Sequence, residues 1–342
     1  MYHSSVTGSA AHDVAGDPGW PIAGPLPLRQ VRRVRAPVCT MRPLRVADVA
    51  RALRIAAMNF GSEVNLVARS YVWHFARRAG LEDVSAMWST RTVRIVSPAG
   101  TAAFDCIQSF VHGRDVVWID LADIDDAGAD VALDGLRQWP RCHRLLVIRI
   151  NAELMPFFVA AGFDLAGSMP HGRERHLYLY ATRQRLAQAR REDVAVRFGA
   201  RTLPYADCEF SVVERDGAII GLTGIYEVEF WQGVTWGGWG AMDPSAARRD
   251  AVFDTLHLTE ARAKAQGAGW FCLETSDSAK YRHARRIYEL YGLQPMLRIP
   301  GFYCDAGSAG DEAFIVYGMA LDRRPTDLPR LASASGAMHS GT

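Results

Sequence analysis

Asn151–Phe163 reads NAELMPFFVAAGF, and Tyr281–Leu293 reads YRHARRIYELYGL. An aromatic stands at the same place in each, Phe158 and Tyr288. Each copy then closes on a glycine followed by an apolar residue, Gly162-Phe163 and Gly292-Leu293. That spacing predicts a helix ended by a glycine turn. A short apolar run precedes each copy, Leu145–Ile150 (LLVIRI) and Trp270–Thr275 (WFCLET). Another follows each, His176–Ala181 (HLYLYA) and Ala313–Leu321 (AFIVYGMAL). These runs read as strands. Strand, helix, glycine turn and strand, met twice, predict two related units in one chain.

The repeated phrase resembles the last third of the GNAT acyltransferase fold, whose helix typically reads N-x-x-A-x-x-x-Y-x-x-x-G-F. Met41–Phe60 (MRPLRVADVARALRIAAMNF) resembles the opening strand and helix of the same family. The resemblance spans roughly Met41 to Leu321 as a tandem pair. It implies an α/β protein with mixed sheets in two tandem GNAT-like domains, and an acyltransferase enzyme.

Length and composition agree with two units. The chain has 342 residues and is 49% hydrophobic, enough for two ordinary cores. No apolar run approaches the roughly 18 residues a membrane helix needs, and no signal peptide is expected. The cysteines Cys39, Cys106, Cys142, Cys208, Cys272 and Cys304 form no C-x-x-C pair, so no metal site or disulfide framework is expected. Several sit in apolar runs, as buried thiols of a cytoplasmic protein do. Net charge is +2, so composition does not mark a polyanion binder. Lys264 and Lys280 are the only lysines among 39 basic residues, and the arginines that remain suit phosphate and carboxylate recognition.

Residues 1–40 are rich in glycine, proline and small residues and read as a flexible arm. Pro21 to Ala47 holds no acid but includes Arg29, Arg32, Arg33 and Arg35. That stretch is either a solvated tail or a basic arm that binds a phosphate backbone. The first unit is expected over 41–182. Within it, Asp48 can cap a helix through Asn59, Glu63–Ala79 has a helical stripe of Val67, Tyr71 and Phe75, and three strands form a meander before a helix over Asp125–Trp139. Residues 183–207 read as an Arg-rich helical linker. The second unit is expected over 208–322, with strands Cys208–Glu214 and Ile219–Tyr226 flanking the turn Arg215-Asp216-Gly217. A tail over 323–342 follows. So little chain precedes Cys208 that the second unit lacks first helices of its own. Either the first unit covers that side or the pocket is open.

In the family, the acyl donor's pyrophosphate lies on R/Q-x-x-G-x-G/A at a helix start, where bare backbone amides can approach it. The matching strand here ends at Ala241 and Met242 and leads into Asp243-Pro244-Ser245-Ala246-Ala247-Arg248-Arg249-Asp250. The glycines are missing, and Asp250 brings a carboxylate toward a dianion. The first unit has the acidic Leu121–Asp130 (LADIDDAGAD) instead. Either Arg248 and Arg249 hold a CoA phosphate by charge, or the donor has no pyrophosphate there. Aminoacyl-tRNA is such a donor, used by tandem transferases similar in plan to the Fem enzymes.

Acyl transfer needs a base for the acceptor, a polarised carbonyl and an acid for the leaving group. The family's acid corresponds to Tyr288, and Phe158 cannot replace it, so catalysis is expected in the second unit. Glu227 and Glu229 are the candidate bases, two apart and on one face. Glu274, ending its strand near Ser276 and Asp277, is a weaker one. If the covering helices are absent, Trp231, Trp236 and Trp239 could line a flat acceptor site or stack on a terminal adenosine. Phe302 and Tyr303, in a P-G-F-Y loop, lie near the family's acceptor side. Three readings result. The first is an aminoacyl-tRNA-dependent transferase acting on a small-molecule amine or hydroxyl, with tRNA as partner and no tightly bound cofactor. The second is an acetyl-CoA-dependent N-acetyltransferase, and the third a non-catalytic binding protein. No DNA or membrane partner is expected.

Overall fold

The computed structural model describes residues 38–61, 64–79, 88–109, 115–140, 142–172, 174–186, 192–202, 207–303 and 312–321. In chain order these form β1 (Thr40–Pro43), α1 (Val49–Phe60), α2 (Val64–Arg78), β2 (Trp88–Ser97), β3 (Gly100–Ser109), β4 (Val116–Leu121), α3 (Asp126–Arg137), β5 (Leu145–Ile150), α4 (Met155–Ala160), β6 (Asp164–His171) and β7 (Glu174–Thr182). There follow α5 (Arg183–Leu186), β8 (Ala195–Thr202), β9 (Asp207–Arg215), β10 (Ala218–Glu227), β11 (Val234–Met242), α6 (Arg249–Ala265), β12 (Trp270–Ser276), α7 (Arg282–Tyr291), β13 (Gln294–Tyr303) and β14 (Glu312–Ala320). The repeat folds as its spacing predicts. Gly162 and Gly292 take φ of 103° and 109°, and Phe163 N and Leu293 N each donate 3.0 Å back, to the carbonyls of Phe158 and Tyr288.

The strands among the described residues join one 14-stranded mixed sheet in the order β1-β9-β10-β11-β12-β14-β13-β6-β7-β5-β4-β3-β2-β8. From either edge inward the roles are the same. β11 and β12 pair in parallel, as do β4 and β5, with α6 or α3 crossing between them. Each parallel pair is followed by a helix and an antiparallel hairpin. The two halves meet where β13 joins β6 at Leu297 and Gly167. A Cβ on Gly167 would lie 2.1 Å from the Met296 carbonyl, so only glycine permits this approach.

The sheet order corrects the expected division of the chain. Strand β1 does not open the first half. It pairs with β9 of the second, Thr40 opposite Glu214 and Pro43 opposite Ser211. The Arg42 guanidinium fixes that position by binding Asp48 at 2.6 Å and Glu214 at 2.8 Å. Asp48 therefore makes no side-chain cap to α1, and accepts from Arg42 and Arg45 N instead. Helices α1 and α2 follow β1 onto the second half. Arg51 reaches Asp243 and Asn59 donates to the Met242 carbonyl, while Tyr71 sits edge-on to Phe210, 4.8 Å between centroids. The second half thus has its first helices, supplied by the N-terminal stretch, and its face is covered.

The expected linker is corrected in the same way. Within 183–207, α5 is a single turn and Ala195–Thr202 is a strand, β8, paired with β2 from Val96–Ala195 to Thr90–Thr202. Its alternating Val196 and Phe198 pack against the first half's core. Each half is completed by a segment that the sequence assigns to the other side of a boundary.

One apolar core crosses between the halves. Trp118 of β4 touches Trp231, Phe302 and Phe314 of the second half, at centroid distances of 5.3, 6.0 and 5.8 Å. A second core lies between the first half's sheet and α3 and α4, and a third between the second half's sheet and α6 and α7. No helix among the described residues is long and apolar enough to cross a membrane.

Candidate active site

Strands β11 and β12 pair from Val234–Trp270 to Gly237–Leu273 and then part. Beyond that point β11 runs on to Met242 against β10, and β12 runs on to Ser276 against β14. Their facing edges form an opening inside the sheet. β11 is bulged there: Leu222 faces Ala241 but Gly224 faces Gly238, which puts one extra residue into β11 at Trp239-Gly240. Trp239 takes φ of 53°, and a Cβ on Gly240 would meet nothing within 4 Å. The sequence signal was the glycine-rich strand WGGWG.

The equivalent place in the first half is closed. β4 and β5 stay paired along their whole length, from Val116–Leu145 to Leu121–Ile150. Counting from the first pair in each half, Asp120 corresponds to Gly238 and Arg149 to Glu274. Asp120 and Arg149 are register partners joined by an ion pair, with Arg149 Nε donating at 2.8 Å and Arg149 4% exposed. The second half has no such link, because glycine faces the carboxylate-bearing strand.

Two ionisable groups flank the opening in the second half. Cys272 lies in the core shared with α1, whereas Phe271 and Leu273 lie in the core against α6 and α7. Alternation along β12 therefore puts Glu274 on the α1 side. Tyr288 of α7 packs against the opposite core, its ring 5.7 Å from Tyr317. Burial first, then the charge of Glu274, pushes the Tyr288 hydroxyl up to about 12. It stays protonated through the ordinary pH range and can act only as a proton donor. Glu274 is thus within electrostatic reach of Tyr288 while lying on the other face of the sheet. The first half has Phe158 in place of Tyr288, fully buried, so it holds neither group.

At the mouth of the opening is the loop from Asp243 to Arg248. Asp243 accepts from Ser245 N and Oγ, at 2.9 and 2.6 Å, and binds Arg51. Arg248 occupies the N-cap position of α6 without a side-chain cap. Asp250 lies 3.8 Å from Arg215 and 3.9 Å from Arg248, so its carboxylate is offset by two guanidiniums. Arg249 lies over the Phe253 ring at 5.5 Å. Arg248, Arg249, Asp250 and Phe253 line an open cleft of about 470 Å³. In the first half the matching helix start is capped by its own acid: Asp125 accepts from Gly128 N at 2.7 Å.

The other residues singled out in the sequence are placed as follows. Glu227 accepts from the buried Thr235 hydroxyl at 2.7 Å. That is the paired end of β11, about 13 Å along the strand from the bulge at Trp239, at about 3.3 Å per residue. The backbone of Glu229 lies in the 3-10 turn before β11, and its side chain lies outside the described residues. Trp231, Trp236 and Phe302 are each 2% exposed and packed in the shared core. With α1 and α2 in place they form no flat platform for an acceptor or a base. Trp239 is half-buried at the bulge, edge-on to Phe60 of α1 at 5.6 Å, and Tyr303 packs on Phe302 at 5.0 Å. Ala241 and Met242 are buried at the end of β11, and Met242 packs against Ala251 of α6. Arg29, Arg32, Arg33 and Arg35 lie outside the described residues.

No protein-family model matches the sequence, and no curated protein matches it significantly. Similar solved structures include an N-acetyltransferase from Staphylococcus aureus Mu50, 14% identical over 34% of this chain and 68% of that one, with a TM-score of 0.30. A GNAT family acetyltransferase from Elizabethkingia anophelis, with acetyl-CoA bound, is 19% identical over 33% of this chain and 76% of its own, TM-score 0.29. The ribosomal-protein-S18-alanine N-acetyltransferase from Escherichia coli is 17% identical over 35% and 72%, TM-score 0.29. Each covers about one third of this chain.

Proposed function

We propose that the protein is an acyltransferase whose second half moves an acyl group from a CoA-type thioester to an amine. The observation that supports this most is the parting of β11 and β12 beyond Gly237–Leu273, with Glu274 and Tyr288 on its two sides. A narrow arm bearing amides can lie along the free edge of β11 as an added strand does. The donor's phosphates then reach the cleft at Arg248 and Arg249, where charge replaces the missing glycine cradle.

The chemistry follows from the two faces. Glu274 takes a proton from the acceptor ammonium on the α1 side. The neutral amine attacks the thioester carbonyl, and backbone amides along the bulged β11 are the donors available to the oxyanion. Collapse of the tetrahedral intermediate breaks the carbon–sulfur bond, and Tyr288 protonates the departing thiolate from the α7 side. Glu274 serves this role better than Glu227 because it adjoins the opening, whereas Glu227 is tied to Thr235 at the far end of β11. Nothing among the described residues favours aminoacyl-tRNA as the donor.

Titration of CoA into the protein tests the reading. Wild type releases or absorbs heat with a saturable isotherm, and Arg248→Ala with Arg249→Ala weakens it at least tenfold. Absence of binding at millimolar CoA, together with product formation from charged tRNA that RNase abolishes, would overturn it.

A further inference from the structure

The first half keeps the strand order but not the opening, and Arg149 occupies the place of Glu274. A buried ion pair is weak evidence for stability, since well-packed apolar residues often replace one without loss. The guanidinium does more than bind Asp120, however. Nε and Nη2 take the carboxylate, which leaves Nη1; Nη1 donates across the seam to the Phe230 carbonyl, and within the first half to His171 Nδ1 of β6. The guanidinium also stacks over the Phe230 ring at 4.5 Å.

Phe230 belongs to the connection between β10 and β11, and the first half holds that connection at three points. Arg149 holds Phe230. Trp118 packs edge-on against Trp231 at 5.3 Å. Gly172 N, in the turn after β6, donates to the Gln232 carbonyl at 2.8 Å. From Trp231 the contact passes on at once, because its ring lies 5.2 Å from Trp236. Trp236 pairs with Cys272, one step before Gly237–Leu273, where the two strands part.

Given the acyl-transfer reading above, on which this rests, we infer that Arg149 is a positioning residue for the second half's reaction. It touches neither donor nor acceptor. It holds the β10–β11 connection, and through Trp231 and Trp236 it sets where β11 leaves β12. The first half, having closed its own opening with Asp120 and Arg149, uses the same guanidinium to brace the other.

The test separates bracing from simple stability. In the full chain, the double variant Asp120→Leu with Arg149→Met removes both buried charges together and is expected to melt within a few degrees of wild type. Its kcat should fall about tenfold while KM for acetyl-CoA is unchanged, since misplacing reacting groups by a fraction of an ångström costs that much. Amide hydrogen exchange at Phe230–Gly233 should quicken, with the α3 and α4 region unaffected. Arg149→Lys, which keeps a charge for Asp120 but not the planar fork, should fold and show the same two changes. Either folded variant having wild-type kcat and wild-type exchange at Phe230–Gly233 would overturn the inference. Failure of the acyl-transfer reading itself would be seen in the unmodified protein, which would lack activity, and the exchange measurement would still report on the brace.

Discussion

The two halves differ most at one pair of positions. In the first, Asp120 and Arg149 face each other across β4 and β5 and hold them together to the end. In the second, Gly238 and Glu274 stand in those places and the strands separate. The helix beyond differs in step: Phe158 is fully buried where Tyr288 is half-buried beside Tyr317. Even the helix starts diverge, with Asp125 sealing α3 and Arg248 leaving α6 open. A few side chains thus separate a half closed between its parallel strands from a half open there, within one strand order.

Substitutions at matched places test that contrast. The largest expected effect is on stability: Phe158→Ala should cost about 3–5 kcal/mol in chemical denaturation, as for other fully buried aromatics, with kcat of the surviving folded protein unchanged. At the matched position, Tyr288→Phe should leave the denaturation midpoint nearly unmoved and lower kcat about a hundredfold. A loss of activity from Phe158→Ala equal to that from Tyr288→Phe would break the assignment of catalysis to the second half. Glu274→Gln should lower kcat by a similar factor, while Glu227→Gln should change it less than threefold, read from initial rates with saturating acetyl-CoA.

The pH dependence sharpens the role of Tyr288. A tyrosine of ordinary acidity is half ionised near pH 10, but this one is pushed up to about 12. Between those values the unfolded chain gives up the proton and the folded one keeps it. The sign is therefore a loss of stability as pH rises through that window. With Tyr288 as the acid, activity should hold past pH 10, and a decline in kcat centred near pH 10 would show that its hydroxyl is not raised. The smallest effect belongs to the helix starts: Asp125→Ala should cost about 1 kcal/mol of stability and leave CoA affinity untouched.

How much of this the sequence revealed depended on whether a signal was local. The repeated helix and its glycine turn were legible because Phe158, Tyr288, Gly162 and Gly292 act within a single turn. The hairpin at Arg215-Asp216-Gly217 was legible for the same reason, and Asp216 and Gly217 do take φ of 51° and 76°. The exchange of β1, α1, α2 and β8 was not, because partners such as Arg42 and Glu214 lie 172 residues apart. An alternating run such as AVRFGART states that it is a strand, not which sheet it joins. The Trp-rich stretch misled by composition. Trp231 and Trp236 pack into the seam, and no residue near them in sequence indicates that Trp118 is waiting there. Glu274 was visible only as the end of a strand. Its place at the opening follows from where β11 stops pairing, which is a relation between two strands rather than a property of either.

The exchange of end segments has a consequence for how the chain comes to be folded. During synthesis, β1, α1 and α2 emerge long before β9, the strand beside which β1 belongs, and β2 to β7 appear without their edge strand β8. The first half closes once β8 follows β7, but the second cannot finish without the segment made first. The early helices must wait with their apolar stripe of Val67 and Tyr71 uncovered until the second half is made, and such delayed long-range pairing slows folding. Cutting the chain between β7 and β8 would therefore not release two domains. It would leave one piece with a bare sheet edge and unmatched helices, and another missing the cover over its own opening, and only mixing the two would restore either.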